Sequence, residues 1–95
     1  MSGHVFHPGH HDLHGITVVL ETTGAETYVG RFDTQDEAGV HMIGVSIYTP
    51  RENAATKAEF LAHTAKFGVR VDRPHLVVPT PVVSAITPLG TMVSG

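Results

Sequence analysis

The sequence predicts a small, mainly β domain in which five short strands wrap into a barrel and one α-helix is inserted between the third and fourth strands. Three observations carry this expectation. Short runs rich in Val, Ile, Thr, Tyr and Phe recur along the chain, bounded by Gly, Pro, Thr or Asp. One stretch, opening at Thr49-Pro50, instead carries the chemistry of a helix start. The chain has 95 residues, enough for one domain. Wrapping so small a sheet into a barrel protects the edges it would otherwise expose.

The elements follow in order. Residues 1–15 form a leader rich in His and Gly with few apolar anchors, expected to stay loose unless a metal or a partner orders it. Residues 16–90 form the barrel. Its first strand alternates Ile16, Val18 and Leu20 against Thr17, Val19 and Glu21, the period of a half-buried strand. Thr22-Thr23-Gly24-Ala25 is a hairpin turn, and Glu26 to Asp33 is the second strand, with Gly30 marking a bend or bulge. Residues 34–39 are acidic and turn-like. The third strand runs from Val40 to Tyr48, with Gly44 as a second candidate bend.

The helix is expected over 50–67. Thr49 is the cap, Pro50 takes the first helical position, Glu52 completes a capping box, and Gly68 is the stop. At about 100° per residue, Ala54, Ala58, Leu61 and Ala65 share one face, while Phe60, His63 and Phe67 lie roughly opposite. The small-residue stripe is expected to pack on the barrel, which leaves Phe60, His63 and Phe67 for a partner. Arg73-Pro74 is a turn, His75 to Val78 the fourth strand, Thr80-Pro81 a tight corner and Val82 to Thr87 the last strand. Residues 91–95 are a loose tail.

Composition narrows the classes of function. No cysteine is present, so a disulfide framework is excluded, which fits a cytoplasmic location. The N-terminus lacks the pattern of a secretory signal and no apolar run approaches a membrane span. Six Lys and Arg stand against nine Asp and Glu, a net charge of −3 that gives poor attraction for nucleic acid. Charged residues make up only 16% of the chain, against roughly 25% in typical globular proteins. So few charges on so small a domain imply apolar surface covered by another chain, either a second copy or a larger complex.

The strand Ile16-x-Val18-x-Leu20, Gly24, the run Gly30-Arg31-Phe32-Asp33, the long strand Val40–Tyr48 and the closing pair Leu76-Val77-Val78-Pro79 and Val83-Ser84-Ala85-Ile86 together resemble the Sm-like branch of the SH3-like small barrels. The resemblance covers about residues 13–49 and 75–89 and is one of pattern and strand spacing. It implies a five-stranded SH3/Sm-like barrel and a tendency to form rings through edge strands. Three departures separate the chain from Sm proteins. It lacks the Asp-x-x-Met-Asn run that holds uridine and the basic-Gly loop near the fourth strand, and it carries a helix and linker, residues 50–74, in place of a shorter loop. RNA binding by an Sm-like ring is therefore the weaker alternative.

The candidate chemistry lies in the histidines. Five of the eight fall in the first fourteen residues: His4, His7, His10, His11 and His14. His7-x-x-His10 and His10-x-x-x-His14 suit a divalent transition metal such as zinc, nickel or copper, and His7, His10, His11 and His14 are the candidate ligands. No other cofactor is indicated. The Glu that a metalloprotease helix carries after its first histidine is absent, since position 11 is His. His41, His63 and His75 stand isolated in sequence and are expected at polar rims or in hydrogen-bonded, partly buried positions. No catalytic residue is assigned, as neither a covalent nucleophile nor a phosphate loop is present. The leading functional expectation is a non-catalytic interaction or accessory module, with transition-metal binding through the leader as the alternative.

Overall fold

The computed structural model describes residues 13–52 and 54–93. The fold is mainly β: five antiparallel strands, β1 (Thr17–Thr22), β2 (Thr27–Asp36), β3 (Gly39–Tyr48), β4 (Arg73–Val78) and β5 (Val83–Pro88), with helices α1 (Lys57–Phe67) between β3 and β4 and α2 (Leu89–Val93) after β5. The sheet order is β4-β3-β2-β1-β5, and every neighbouring pair is antiparallel.

The connection between β4 and β5 shapes the whole sheet. These strands occupy opposite edges, yet only residues 79–82 join them, and three of those, Thr80–Val82, form a 3-10 turn. Five flat strands would set the edges about 19 Å apart. Five chain steps that include a 3-10 turn reach only about 13 Å. The sheet therefore curls, bringing its edges towards each other. The core agrees: Val18, Leu20, Phe32, Val40, Met42, Val45 and Val78 form one buried cluster, joined by Leu76 of β4 and by Val83 and Ile86 of β5. Side chains from both edges meet on this concave face, which buries itself without a second layer. No ladder joins β4 to β5 among the described residues, so the sheet is curled but not closed.

Two glycines set which residues face inward. Val29 pairs with Ser46 but Arg31 pairs with Ile43, so Gly44 and Val45 together oppose Gly30. Gly44 has φ 62°, the left-handed conformation of a glycine bulge. The extra residue resets the alternation, so Val40 and Met42 before it and Val45 and Ile47 after it all belong to the concave cluster. Ser46 and Tyr48 are left on the convex face beside Val29. The expected bends at Gly30 and Gly44 are thus the two sides of one bulge. A second shift, between Phe32 and Thr34, lies in β2.

Among the described residues, the convex face is covered over one half only. Val19 and Val29 pack there with Leu61 of α1 and Leu89 of α2. Tyr48 packs at a tilt against Phe60, centroids 5.1 Å apart, and donates its hydroxyl to the Ala55 carbonyl at 2.9 Å.

The helix starts later than expected. Thr56, not Thr49, is the cap: its hydroxyl accepts the Glu59 N–H at 3.1 Å, and the Glu59 carboxylate accepts the Thr56 N–H at 2.8 Å. Thr49 and Glu52 instead close a turn, with the Glu52 N–H donating to the Thr49 carbonyl. The sequence holds two T-x-x-E boxes, and the second one wins because Tyr48 ties down the carbonyl of Ala55 immediately before it. The buried stripe also differs. Leu61 and Thr64 are buried and Phe60 is half-buried, while Ala58 and Ala65 are exposed. The larger side chains reach the convex face and the small ones face outward. At the other end, residues 91–93 are helical where no element was expected.

Two substitutions test this arrangement. Gly39 has φ 141°, and a Cβ there would fall on the Val78 carbonyl of β4, whereas Gly68, with φ 96°, has open space around it. Gly39→Ala should cost at least about 3 kcal/mol, and Gly68→Ala about 1–2 kcal/mol from backbone strain alone. Urea denaturation of both variants measures the difference. Thr56→Ala should destabilise the protein by about 1 kcal/mol through loss of the cap, read as a lowered Tm.

Candidate functional site

The most organised polar arrangement among the described residues lies on the uncovered half of the convex face, at the β2–β3 hairpin. Asp36 pairs with Gly39, leaving Glu37 and Ala38 as the turn. The Asp36 Oδ1 accepts the N–H groups of Ala38 at 2.9 Å and Gly39 at 3.3 Å, an Asx turn that fixes the carboxylate. Its other oxygen, Oδ2, lies 2.9 Å from Nε2 of His41. On the far side of the same ring, His41 Nδ1 is 3.4 Å from Nε2 of His75. The register explains the meeting. His41 pairs with Val77 and Ile43 with His75, so the two histidines are diagonal neighbours on one face, within side-chain reach.

The ring centroids of His41 and His75 are 5.5 Å apart, with 27° between the planes. That separation exceeds the nitrogen–nitrogen distance by about two ring radii, so the imidazoles meet edge to edge and not face to face. One tautomer set satisfies the line. Asp36 accepts the Nε2–H of His41, and the bare Nδ1 of His41 faces the Nε2–H of His75. The His41 side chain is 19% exposed and that of Asp36 55%, so the arrangement opens to solvent.

The hydrogen bond from His41, then those from the Ala38 and Gly39 N–H groups, hold the Asp36 carboxyl below its ordinary value. Elsewhere, burial and then the nearby Glu26 carboxylate push the Tyr28 hydroxyl up. Two further contacts fasten the scaffold. Lys57 meets Glu21 at 2.6 Å, tying the start of α1 to β1. Asp72 Oδ2 accepts the Ile47 N–H at 2.9 Å, tying the loop before β4 to β3.

The residues singled out in the sequence are distributed differently. His7, His10 and His11 lie outside the described residues. His14 is exposed, and its Nδ1 donates to the Asp33 carbonyl at 2.5 Å, which leaves Nε2 as its free nitrogen. Among the described residues, no group of three or more His, Cys, Asp or Glu is arranged to hold a metal ion. Phe60 is part of the packing under α1. His63 and Phe67 are exposed and meet at a tilt, their ring centroids 4.6 Å apart, with Lys66 Nζ 5.4 Å from the centre of the Phe67 ring. Beside them, α1 and α2 frame an open apolar groove of about 370 Å³ lined by Lys57, Ala58, Leu61, Ala62 and Met92.

The Asp36–His41–His75 line escapes the sequence reading. There Asp36 only solvates a turn, His41 lies in phase with both Ile43 and Val45, and His41 and His75 stand apart. The bulge at Gly44 breaks the phase with Val45, and 34 residues separate the two histidines. One signal was present: a two-residue turn at 37–38 makes Asp36 pair with Gly39 and so places it next to His41. No protein-family model matches this chain, and no curated protein matches it. No helix among the described residues is long and apolar enough to cross a membrane.

The lowered Asp36 value carries a sign. A carboxyl with a depressed native pKa adds stability that is fully present above its unfolded value and is lost as the pH falls through the native one. Asp36→Asn should therefore be less stable than the wild type at neutral pH. The gap should narrow as the pH drops below about 3.8, the ordinary value. Thermal melts of both proteins between pH 7 and pH 2.5 measure it.

Proposed function

We propose that this protein is a non-catalytic interaction module, a small SH3/Sm-like barrel that associates with copies of itself. The observation that carries the reading is the pair of sheet edges. Among the described residues, β4 and β5 each have a partner on one side only, and an unpaired edge is a template for another strand. A β4 edge of one copy meeting the β5 edge of the next is a head-to-tail contact, the kind that builds rings when the rotation closes. The curl forced by the short β4–β5 connection supports the barrel reading. So does the drawing of one concave core from all five strands.

Exposed apolar side chains support association. Phe67 is 67% exposed and Val71 57%, and Ile43 lies open on the outer face. Few charges cover the rest of the surface. Phe67 and His63 at the end of α1 serve as contacts beside the edges, whereas Phe60 serves α1 packing. Docking of the same surfaces onto a larger complex is the variant of this reading in which the second copy is replaced by another chain.

Native mass spectrometry of the full chain tests the proposal. The wild type should show multiples of its 10.1 kDa mass. Phe67→Asp, and separately Ser84→Lys on the β5 edge, should shift the population towards the monomer while circular dichroism stays unchanged. A wild type that is monomeric across micromolar concentrations would overturn self-association.

A further inference from the structure

We propose that His41 Nδ1 and His75 Nε2 form a two-imidazole site for a divalent transition metal, with Asp36 as the residue that positions His41. The proposal does not use the histidines of the leader and does not depend on the association reading.

The geometry supports it in three ways. First, the nitrogen–nitrogen distance of 3.4 Å lies at the long end for a hydrogen bond, beyond the about 2.7–3.2 Å of N–H donors on oxygen acceptors. It equals the edge of a tetrahedron with metal–nitrogen bonds of about 2.05 Å. A metal on both nitrogens would sit about 1.1 Å off the line between them, with each ring's lone pair turned about 35° from that line.

Second, the carboxylate behind His41 is built in. Ligating histidines characteristically donate their other ring N–H to a carboxylate or carbonyl, which fixes the tautomer and raises ligand basicity. Asp36 does this through Oδ2, while Oδ1 is held by the turn's own N–H groups. The bare Nδ1 of His41 is thereby aimed at His75 before any metal arrives. On binding, His75 presents Nε2 unprotonated and carries its proton on Nδ1.

Third, the site is accessible. It lies on the half of the convex face that α1 leaves open, with Ile43 exposed next to it. Neutral imidazole selects zinc, nickel and copper over calcium and magnesium. With two protein ligands, the remaining positions go to water or to an outside donor.

The test uses the full chain in which His4, His7, His10, His11 and His14 are all replaced by Gln, which removes the leader's histidines as ligands. Zinc and nickel are titrated separately, followed by calorimetry and by the ring nitrogen signals of 15N-histidine. One metal per chain should bind, with the Nδ1 signal of His41 and the Nε2 signal of His75 shifting together. His41→Gln or His75→Gln in this background should weaken binding at least tenfold. Asp36→Asn should weaken it roughly 10- to 100-fold and scramble the His41 tautomer, which a purely structural role would not do. Amide spectra confirm that each variant is folded. No binding in the leader-substituted chain would overturn the proposal, and so would binding that survives both single histidine substitutions. Native masses with and without chelator keep the outcome distinct from self-association, which is expected to persist without metal.

Discussion

A four-residue connection across the full width of a five-stranded sheet is the constraint on which the rest of the structure depends. The chain leaves β4 at one edge and must enter β5 at the other before it runs out of reach. A flat sheet cannot meet that demand, so the strands curl. Curling creates a concave face narrow enough to fill itself with Val, Leu, Ile, Phe and Met side chains from every strand. This geometry fills the core without a second sheet. The Thr23 N–H, which donates to the Val82 carbonyl, anchors the connection to the β1–β2 turn.

Curling alone does not decide which residues point inward. In a strand with strict alternation, Val40 and Met42 would be in phase with Gly44 and Ser46. The left-handed Gly44 adds one residue opposite Gly30 and puts Val45 and Ile47 into the core. The close approach of the two strands favours glycine at position 30 as well, since a Cβ there would press on the Gly44 carbonyl and the Val45 backbone. The same bulge separates the convex face into two halves. Beyond it, Ser46 is buried and Tyr48 packs against Phe60 of α1. Before it, His41 and Ile43 remain open. The polar line from Asp36 to His75 therefore exists because a core-packing device stops short of it.

Helix α1 behaves as a cover for one half of the convex face. Its anchors are local: a reciprocal cap at Thr56 and Glu59, the Tyr48 hydroxyl on Ala55, and Lys57 against Glu21. Leu61 and Thr64 face the sheet, and α2 packs beside them through Leu89. The face of α1 turned to solvent ends in Phe67, a large ring held between His63 and Lys66. Such a ring gains little from its own fold, whereas Phe60 packs beneath α1.

The sequence by itself determined the strands, because alternation and β-branched composition act locally, and it marked Gly30, Gly44 and Gly68 as special because glycine is used where other residues strain. It also named a T-x-x-E helix start, but offered two, and only the position of Tyr48 decided between them. It placed five strands and a helix in order, yet left the lengths of β2, β3 and β4 short, since pairing extends a strand past the point where composition alone would end it. What only the tertiary structure decided is which distant residues meet. His41 and His75 come together through the β3–β4 register, and that register follows from long-range pairing across the segment that carries α1. Asp36 joins them because the hairpin turn is two residues long. Local chemistry writes itself into neighbouring letters, whereas a site assembled across strands depends on a register that no single strand contains.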